Sequence, residues 1–508
     1  MTPGKSESHM TLEEALTKTG FGRFNYALIV LTGAILGSVF LETVAINFIL
    51  PVSQCDLNLT TSDKGVLSGV GFVGIIVSSH LWGFLADTQG RRTVIVPTLF
   101  IAFAITIVSS VMKSFRVLVL LRFLTGFFVS GPSAAVYAYL GEFHAISTRS
   151  KVMMLASSMY AVFCLWSPVF AAIIINQDWS FYIAPLDLVF NPWRLFMIVC
   201  GMPSVVCALV TLIFMPESPK FLFAQGEEEK TMQVLQKVYN CNTGKPRDTF
   251  PVKSLVKDEE YQERCSNKSR NLFEFMWSQT VPLFKHPHLR NTLTICLMQF
   301  CIFNTSNGLW AFFPEITNRI TLWESLDPSH VTSTVCTILD ETKTIINANS
   351  TVTEVVCVTK LANSVFRNAF ILNLLYIFGW FFLALIINRV GKLMILTTIF
   401  FSSTLSAVLL IFIEIPTVSM GFYIYLLGVG LALTVLNAVV VELFPTNVRA
   451  MALCLSLMSG RLGAVFATNL IGLLLDEYCE YTFLMPTALL FFSGCLSFTI
   501  PNISKRIK

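Results

Sequence analysis

Long apolar runs separated by short polar stretches set the pattern of the chain. A membrane-spanning helix needs about 20 consecutive, predominantly apolar residues, and twelve runs reach that length. The first six cover roughly 26–50, 65–86, 93–112, 117–141, 152–176 and 195–215. The second six cover roughly 290–313, 366–387, 393–414, 418–443, 451–475 and 482–501. The pattern predicts an all-α membrane protein of twelve transmembrane helices. One six-helix bundle spans 26–215 and a second spans 290–503, with polar segments at 1–25, 216–289 and 504–508. In the joining segment, Glu227-Glu228-Glu229-Lys230 is followed by Met232, Leu235, Val238 and Tyr239. That spacing makes an amphipathic helix, closed by Asn240 to Gly244. A second non-membrane segment, 315–365, falls between the seventh and eighth runs.

Composition agrees with this reading. Of 508 residues, 54% are hydrophobic and 13% charged, against about 25% charged in a soluble chain. The mean hydropathy is +0.68. A net charge of +4 does not point to nucleic acid, because the basic residues sit in loops between apolar runs. They also sit on one side: Arg91 and Arg92, Arg149 and Lys151, Arg389 and Lys392, Arg449, then Lys505, Arg506 and Lys508. The loop after the eleventh run carries only acid, Asp476, Glu477 and Glu480. The positive side faces the cytosol, so both termini are expected there. Residues 1–25 lack the short apolar core of a cleavable signal, which leaves the first run as the targeting signal.

Most of the thirteen cysteines lie in apolar runs, and none forms a CxxC pair. Cys55, Cys336, Cys357 and Cys479 fall outside the cytosol; Cys336 and Cys357 share one loop and are the candidate disulfide. The same loop holds a glycosylation acceptor at Asn349-Ser350-Thr351, and Asn58-Leu59-Thr60 is a second one in the first loop. Asn267-Lys268-Ser269 falls on the cytosolic side and is expected to be idle. The six histidines have no metal-ligand spacing, so no metal or cofactor is expected. A G-x-x-x-x-G-K-[ST] loop and a nucleophile–base constellation are both missing, which argues against an enzyme.

The two halves repeat at an offset of about 300 residues. Gly83, Asp87, Gly90, Arg91 and Arg92 form a G-x-x-x-D-x-x-G-R-R stretch between the second and third runs, and Gly391-Lys392 repeats its Gly–basic end, with Asn388 near the place of Asp87. Glu142 to Arg149 (EFHAISTR) likewise meets Glu442 to Arg449 (ELFPTNVR) with the same gap. Two landmarks agreeing in offset indicate two bundles related by an axis along the membrane normal, with a solute site between them near the bilayer midplane. Asp87, Arg91, Arg92, Glu142, Arg149, Glu442 and Arg449 are then expected to cluster on the cytosolic side as a latch between the bundles. The plainer reading is surface ion pairs worth ~0–1 kcal/mol each.

The G-x-x-x-D-x-x-G-R-R stretch resembles the signature between the second and third helices of the major facilitator superfamily. Pro216-Glu217-Ser218-Pro219-Lys220-Phe221-Leu222 resembles the P-E-S-P-R/K-x-L motif of its sugar porters, organic ion transporters and synaptic vesicle glycoprotein 2 relatives. Gly20-Phe21-Gly22-Arg23-Phe24, Phe313-Pro314-Glu315 and Glu442 to Arg449 look most like the last group. The chain departs from the pattern where the first-half copy lacks the proline of E-x-x-P, and where Ser150 and Ala450 replace glycine. The fifth run, Ala161 to Pro168, lacks the G-P-x-x-G-G-type motif of drug–proton antiporters.

Three ionisable residues lie well inside apolar runs, where a charge costs about 2.5–3.5 kcal/mol or more unless paired or hydrated. Glu42 is a candidate proton-coupling carboxylate or cation site, with a structural hydrogen-bonded role as the alternative. Arg122 stands four residues before Gly126 and matches the family's R-x-x-x-G pattern; it is expected to pair with Glu42 or face the cavity. Arg461 falls where the resemblance implies Asp in cation carriers and Arg in anion carriers. A buried guanidinium holds a carboxylate or sulfate bidentately; the alternative is a salt bridge to Glu42 or another buried acid. Tyr137, Trp166, Asn304, Asn307, Trp310, Tyr423, Tyr425 and Asn437 are candidate cavity residues, although aromatics at helical spacing are more often packing.

The sequence thus reads as a monomeric, multi-pass secondary transporter of the plasma or a vesicle membrane. Its expected partners are a small organic solute, foremost an anion, together with protons and the lipid bilayer. Two readings stand beside it: a non-transporting vesicle-membrane receptor of the synaptic vesicle glycoprotein type, and an organic cation or sugar carrier.

Overall fold

A computed structural model describes residues 9–256, 280–326, 332–349 and 360–500. The expectations placed on Asn267, Cys357 and the 504–508 tail lie outside these residues.

Within a bilayer every backbone N–H and C=O must be satisfied inside the segment, so the apolar runs become helices. The first span is α2 (Arg23–Val44) continued by α3 (Ile46–Val52), with Pro51 inside α3 rather than closing the span before it. A single turn, α4 (Gln54–Leu57), leads to α5 (Thr61–Gln89), α6 (Arg91–Ser110) and α7 (Phe115–Glu142). The fifth span is α8 (Ile146–Cys164) with α9 (Trp166–Ile174), and α10 (Pro192–Phe214) is the sixth. The linker carries α11 (Pro219–Ala224) and α12 (Glu228–Thr243).

The second half holds α13 (Leu289–Leu326), α14 (Val335–Asn349), α15 (Asn363–Val390) and α16 (Lys392–Phe412). Then come α17 (Pro416–Leu427) and α18 (Ala432–Leu443), joined by a 3-10 turn, α19 (Thr446–Leu474) and α20 (Cys479–Ser497). Eleven helical stretches among the described residues are long and apolar enough to cross a membrane. The twelfth, α13, carries Gln299, Asn304, Thr305, Ser306 and Asn307 in its middle, and it continues to Leu326, well into the stretch read as loop.

Each half packs mainly on itself. In the first, α7 lies against α5 and α6, and α2 against α8 and α10; in the second, α13 lies along α19, and α16 along α20. Across the halves, α5 meets α19, α3 meets α13, and α15 meets α8 and α9. One end of the molecule carries α14 and the hairpin of β2 (Phe181–Ile183) and β3 (Leu188–Phe190); it is called the loop face here. The other end, the linker face, carries α1 (Leu12–Lys18), α11 and α12.

On the loop face Cys336 of α14 is bonded to Cys479, the first residue of α20, with Cα atoms 5.5 Å apart. This corrects the expected Cys336–Cys357 pairing. The helix α14 packs on α13 and α20 instead of looping back on its own segment. Cys55 is disulfide-bonded as well.

On the linker face the amphipathic helix is present but does more than lie beneath the membrane domain. Leu12, Leu16, Phe223, Leu235, Tyr239, Phe250 and Val252 form a separate small core, so the N-terminal residues and the linker fold together. Its edge is a parallel pair, β1 (His9–Met10) with β4 (Ser254–Leu255). Asn242 docks this module: its Oδ1 accepts from Phe24 N at 3.0 Å and its Nδ2 donates to Asn25 Oδ1 at 2.7 Å. Asn25 Nδ2 in turn lies 2.8 Å from His144 Nε2. Burial holds the His144 imidazole below its ordinary pKa, and Arg149 acts in the same sense.

Candidate functional site

Glu42 lies inside the first bundle. Its carboxylate accepts from Thr106 Oγ1 of α6 at 2.5 Å and from Ser204 Oγ of α10 at 3.2 Å. Gly201 makes the room, since a Cβ there would stand 3.1 Å from Glu42 Oε1. Arg122 of α7 donates to the Glu42 main-chain carbonyl at 2.5 Å. The two expected partners are therefore neighbours, but the guanidinium engages the backbone while two hydroxyls hold the carboxylate. Both side chains are buried, at 2% and 5% exposure.

Arg461 lies on α19 and has no carboxylate partner among the described residues, so the expected alternative of a salt bridge to Glu42 is not formed. It stands seven residues, or two turns, before Thr468, which puts both on one stripe of the helix. Thr468 abuts the other bundle: a Cβ on Gly65 of α5 would meet its carbonyl oxygen at 2.4 Å, and one on Gly69 its Oγ1 at 2.5 Å. The stripe bearing Arg461 therefore faces the boundary between the bundles.

Aromatic rings from both halves meet where the halves adjoin. Trp310 stacks on Phe313, with centroids 5.2 Å apart, and meets the edge of Phe48 from the first bundle at 6.5 Å. Tyr160 meets Trp380 of α15 at 6.2 Å. Among the described residues the indole Nε1 of Trp166, Trp310 and Trp380 and the Oδ1 of Asn304 and Asn437 are buried without a hydrogen-bond partner, as are both amide atoms of Gln299. Buried polar groups are normally paired, so such a concentration suits an occupant that supplies the bonds.

Not every sequence candidate joins this set. Tyr423 is fully buried and spends its hydroxyl on Leu309 O at 2.8 Å, which is packing. Tyr137 bonds Ser157 at 3.0 Å between α7 and α8. Tyr425 turns to Ser402 of α16. Asn307 donates to its neighbour Ser306 at 3.3 Å.

On the linker face the repeat reappears in three dimensions. Arg91 pairs with Glu142 at 2.9 Å and with Asp87 at 2.7 Å; the second half repeats this with Lys392 and Glu442. Both basic residues follow a glycine of positive φ, Gly90 at 108° and Gly391 at 93°. Arg149 reaches Glu13 at 3.8 Å and the Gly141 carbonyl at 3.1 Å, and Arg449 reaches the Phe444 carbonyl at 3.4 Å. Arg92 bonds the Leu212 carbonyl at 2.6 Å. All of these stay within their own half, and among the described residues no linker-face ion pair joins the bundles. A Cβ added at Gly83 would meet nothing within 4 Å, so no close approach requires that glycine.

The loop face is the reverse. Lys64 of α5 binds Glu315 of α13 at 2.8 Å. Arg319 binds Glu315 at 2.6 Å and Asp476 at 2.8 Å, and Asp476 also accepts from Thr61 of α5. Asn176 exchanges two hydrogen bonds with Leu361, at 2.7 and 2.9 Å. Beneath them Gly472 of α19 lies against Thr61 and Gly65. Burial would raise the Asp476 carboxyl, but the Arg319 charge and the hydrogen bonds hold it below the ordinary aspartate value.

The sequence reading did not single out this bridge. Lys64 sits one residue before an apolar run and reads as a flank, and Glu315 stood only inside a motif. Gln299 and Trp380 were missed too, although an amide in an apolar run carries the same signal as Glu42.

The sequence profile of the Major Facilitator Superfamily matches residues 31–468. Synaptic vesicle glycoprotein 2C of Rattus norvegicus is 27% identical over 325 residues, covering 61% of this chain and 44% of that protein. Synaptic vesicle glycoprotein 2B of Homo sapiens is 26% identical over 326 residues, covering 60% and 47%. The matched region is thus about half the length of these curated relatives. The inward-open xylose transporter XylE from E. coli superposes with a TM-score of 0.64 at 14% identity, over 94% of this chain and 95% of that one. An inward-facing, unoccupied bacterial homologue of the human lysosomal transporter Spinster gives 0.60 at 13% identity, over 94% and 97%. Likeness at this level of identity carries the fold, and the profile match carries the kinship: the chain belongs to the Major Facilitator Superfamily.

Proposed function

We propose that the protein moves a small organic anion across its membrane by alternating access, with the linker face toward the cytosol. The observation that supports it most is the asymmetry of the bridges. The ion pairs Lys64–Glu315 and Lys360–Asp178 join the two halves on the loop face, and the linker-face pairs among the described residues stay within each half. That is the arrangement of an inward-open carrier. The linker-face clusters, duplicated in both halves, are poised to exchange partners when that face closes. Arg461, facing the boundary without an acid, supports an anionic solute. The indoles and amides left unpartnered among the described residues suit a solute with a planar or apolar body.

Glu42 supports proton coupling. It is a buried carboxylate held by two hydroxyls that can donate to its charged form and accept from its neutral form. The test is uptake into proteoliposomes of a panel of carboxylates and sulfonates, with and without a pH gradient. Saturable uptake of at least one anion is expected, with loss of more than tenfold in Arg461→Gln. If no solute moves, the reading falls to that of a non-transporting membrane protein.

A further inference from the structure

Three cations converge where α10 ends on the linker face. Arg92, the second residue of α6, donates Nη2 to Leu212 O at 2.6 Å and Nε to Thr211 O at 3.4 Å. Lys237 of α12 donates Nζ to Phe214 O at 2.8 Å, two residues further along the same final turn. Arg247, in the 3-10 turn Arg247–Thr249 beyond α12, adds the third charge.

Among the described residues no carboxylate answers them. Apart from burial, the charges that push the Lys237 ammonium below its usual pKa are those of Arg247 and Arg92. Among the described residues none of the three forms an ion pair. The nearby Glu217 is committed elsewhere: it accepts from the backbone N–H of Arg91 and Arg92 at 3.1 Å and of Thr93 at 3.3 Å. The α10 carbonyls carry the partial negative charge of a helix C-terminus, roughly half an elementary charge. They orient two of the cations but cannot neutralise three. A hydrophobic wall adjoins the cluster, because Leu209, Leu212, Ile213 and Phe214 are all exposed on the last turns of α10. An anion with apolar chains below it meets both requirements, and a juxtamembrane cationic cluster attracts acidic lipid.

We propose that Arg92, Lys237 and Arg247 form a headgroup site for an anionic phospholipid of the leaflet that meets the linker face. The phosphate bridges α6, α10 and the linker, and its acyl chains lie along Leu209 and Ile213. The lipid thereby ties the linker module to the first bundle.

The test is native mass spectrometry of the purified full-length protein titrated with phosphatidylinositol or phosphatidylcholine. Phosphatidylinositol is expected to be retained preferentially. The Lys237→Gln/Arg247→Gln variant should lose about tenfold or more of that affinity and keep its weak binding of phosphatidylcholine. Equal retention of the two lipids by the wild type, or unchanged phosphatidylinositol binding in the variant, overturns the proposal. Inorganic phosphate is added as a competitor; if it displaces the lipid and raises the melting temperature as much alone, the site takes a free anion and the lipid assignment falls. Should the variant fail to fold, photoreactive phosphatidylinositol is crosslinked to the wild-type chain. Labelled peptides on α12 or the end of α10 support the site, and labelling confined to other helices refutes it.

Discussion

Lys64 of the first bundle donates to Glu315 of the second across 2.8 Å, and both side chains are almost wholly shielded from solvent. A buried pair of this kind contributes little over a hydrophobic pair, but leaving one member alone costs about 3–5 kcal/mol. Lys64→Ala and Glu315→Ala should therefore each lower the melting temperature by several degrees. The double variant Lys64→Met/Glu315→Leu should recover most of that stability while no longer locking the loop face by charge. Labelling of a cysteine placed beside Gln299 by a membrane-impermeant thiol reagent from the loop face should rise in the double variant. Unchanged labelling would show that the pair does not hold the bundles closed.

The same bridge sets a pH expectation. The Arg319 charge and the hydrogen bonds hold the Asp476 carboxyl below the ordinary aspartate value in the folded protein. A depressed folded value means the contribution is present above the unfolded pKa and is lost as pH falls through the folded one. Loop-face closure should thus be indifferent to acidification from neutral pH to about pH 5, and should weaken only below the ordinary aspartate range. Accessibility of the same cysteine, followed across this range in proteoliposomes, checks the window. Opening near pH 6 would assign the response to another group.

How much of this was legible beforehand follows from what each signal depends on. The twelve spans came from local hydropathy, and a bilayer enforces local hydropathy residue by residue. α13 is counted too, although Gln299 and Asn304 to Asn307 interrupt its apolar run, but hydropathy ends it near 313 whereas the helix continues to Leu326. The Gly90–Arg91 and Glu142 landmarks, expected to latch the bundles together, pair within the first half, and Lys392 with Glu442 repeats that pairing within the second, so the duplicated spacing reports a duplicated local geometry and no bridge. The disulfide of Cys336 with Cys479 was not legible. It depends on where α14 lies across α20, a relation between segments 143 residues apart that no local pattern encodes. The Lys64–Glu315–Arg319–Asp476 chain was hidden for the same reason: its members come from α5, α13 and the residues after α19, and each alone resembles a charge flanking an apolar run.

That disulfide carries its own expectation. Closing a loop of 143 residues restrains the unfolded chain, for which loop-closure entropy gives about 5 kcal/mol as an upper figure. Non-reducing peptide mapping should recover the Cys336 and Cys479 peptides linked. Cys336→Ser and Cys479→Ser should lower the melting temperature equally, and the double variant no further. Recovery of Cys336 linked to Cys357 would overturn the Cys336–Cys479 pairing.

Glu42 is held by Thr106 and Ser204 inside the first bundle, away from the boundary that Arg461 faces. If it couples transport to protons, Glu42→Gln should abolish accumulation driven by a pH gradient and leave solute exchange across the membrane largely intact. Gly201→Ala, which drives a methyl to 3.1 Å from Glu42 Oε1, should impair the same step more mildly. Paired measurements of gradient-driven uptake and counterflow separate the outcomes. Loss of both activities in Glu42→Gln, with normal folding, would make Glu42 structural.

Gly90 and Glu217 make the last case, because here the signature motif and the P-E-S-P stretch explain one another. Glu217 lies at the N-terminus of α6, where its carboxylate accepts the first backbone N–H groups and complements the positive end of the helix. It can approach so closely only because Gly90 has no side chain: a Cβ there would stand 2.5 Å from Glu217 Oε2. The backbone φ of 108° disfavours any other residue independently. Gly90→Ala should therefore destabilise by both strain and expulsion of the cap, whereas Glu217→Ala removes the cap alone, at about 1–2 kcal/mol. In the combined variant the clash is gone and only strain and the lost cap remain. The double-mutant cycle should accordingly show the combined loss to be smaller than the sum. Strict additivity in thermal unfolding would mean that the two residues do not meet as described.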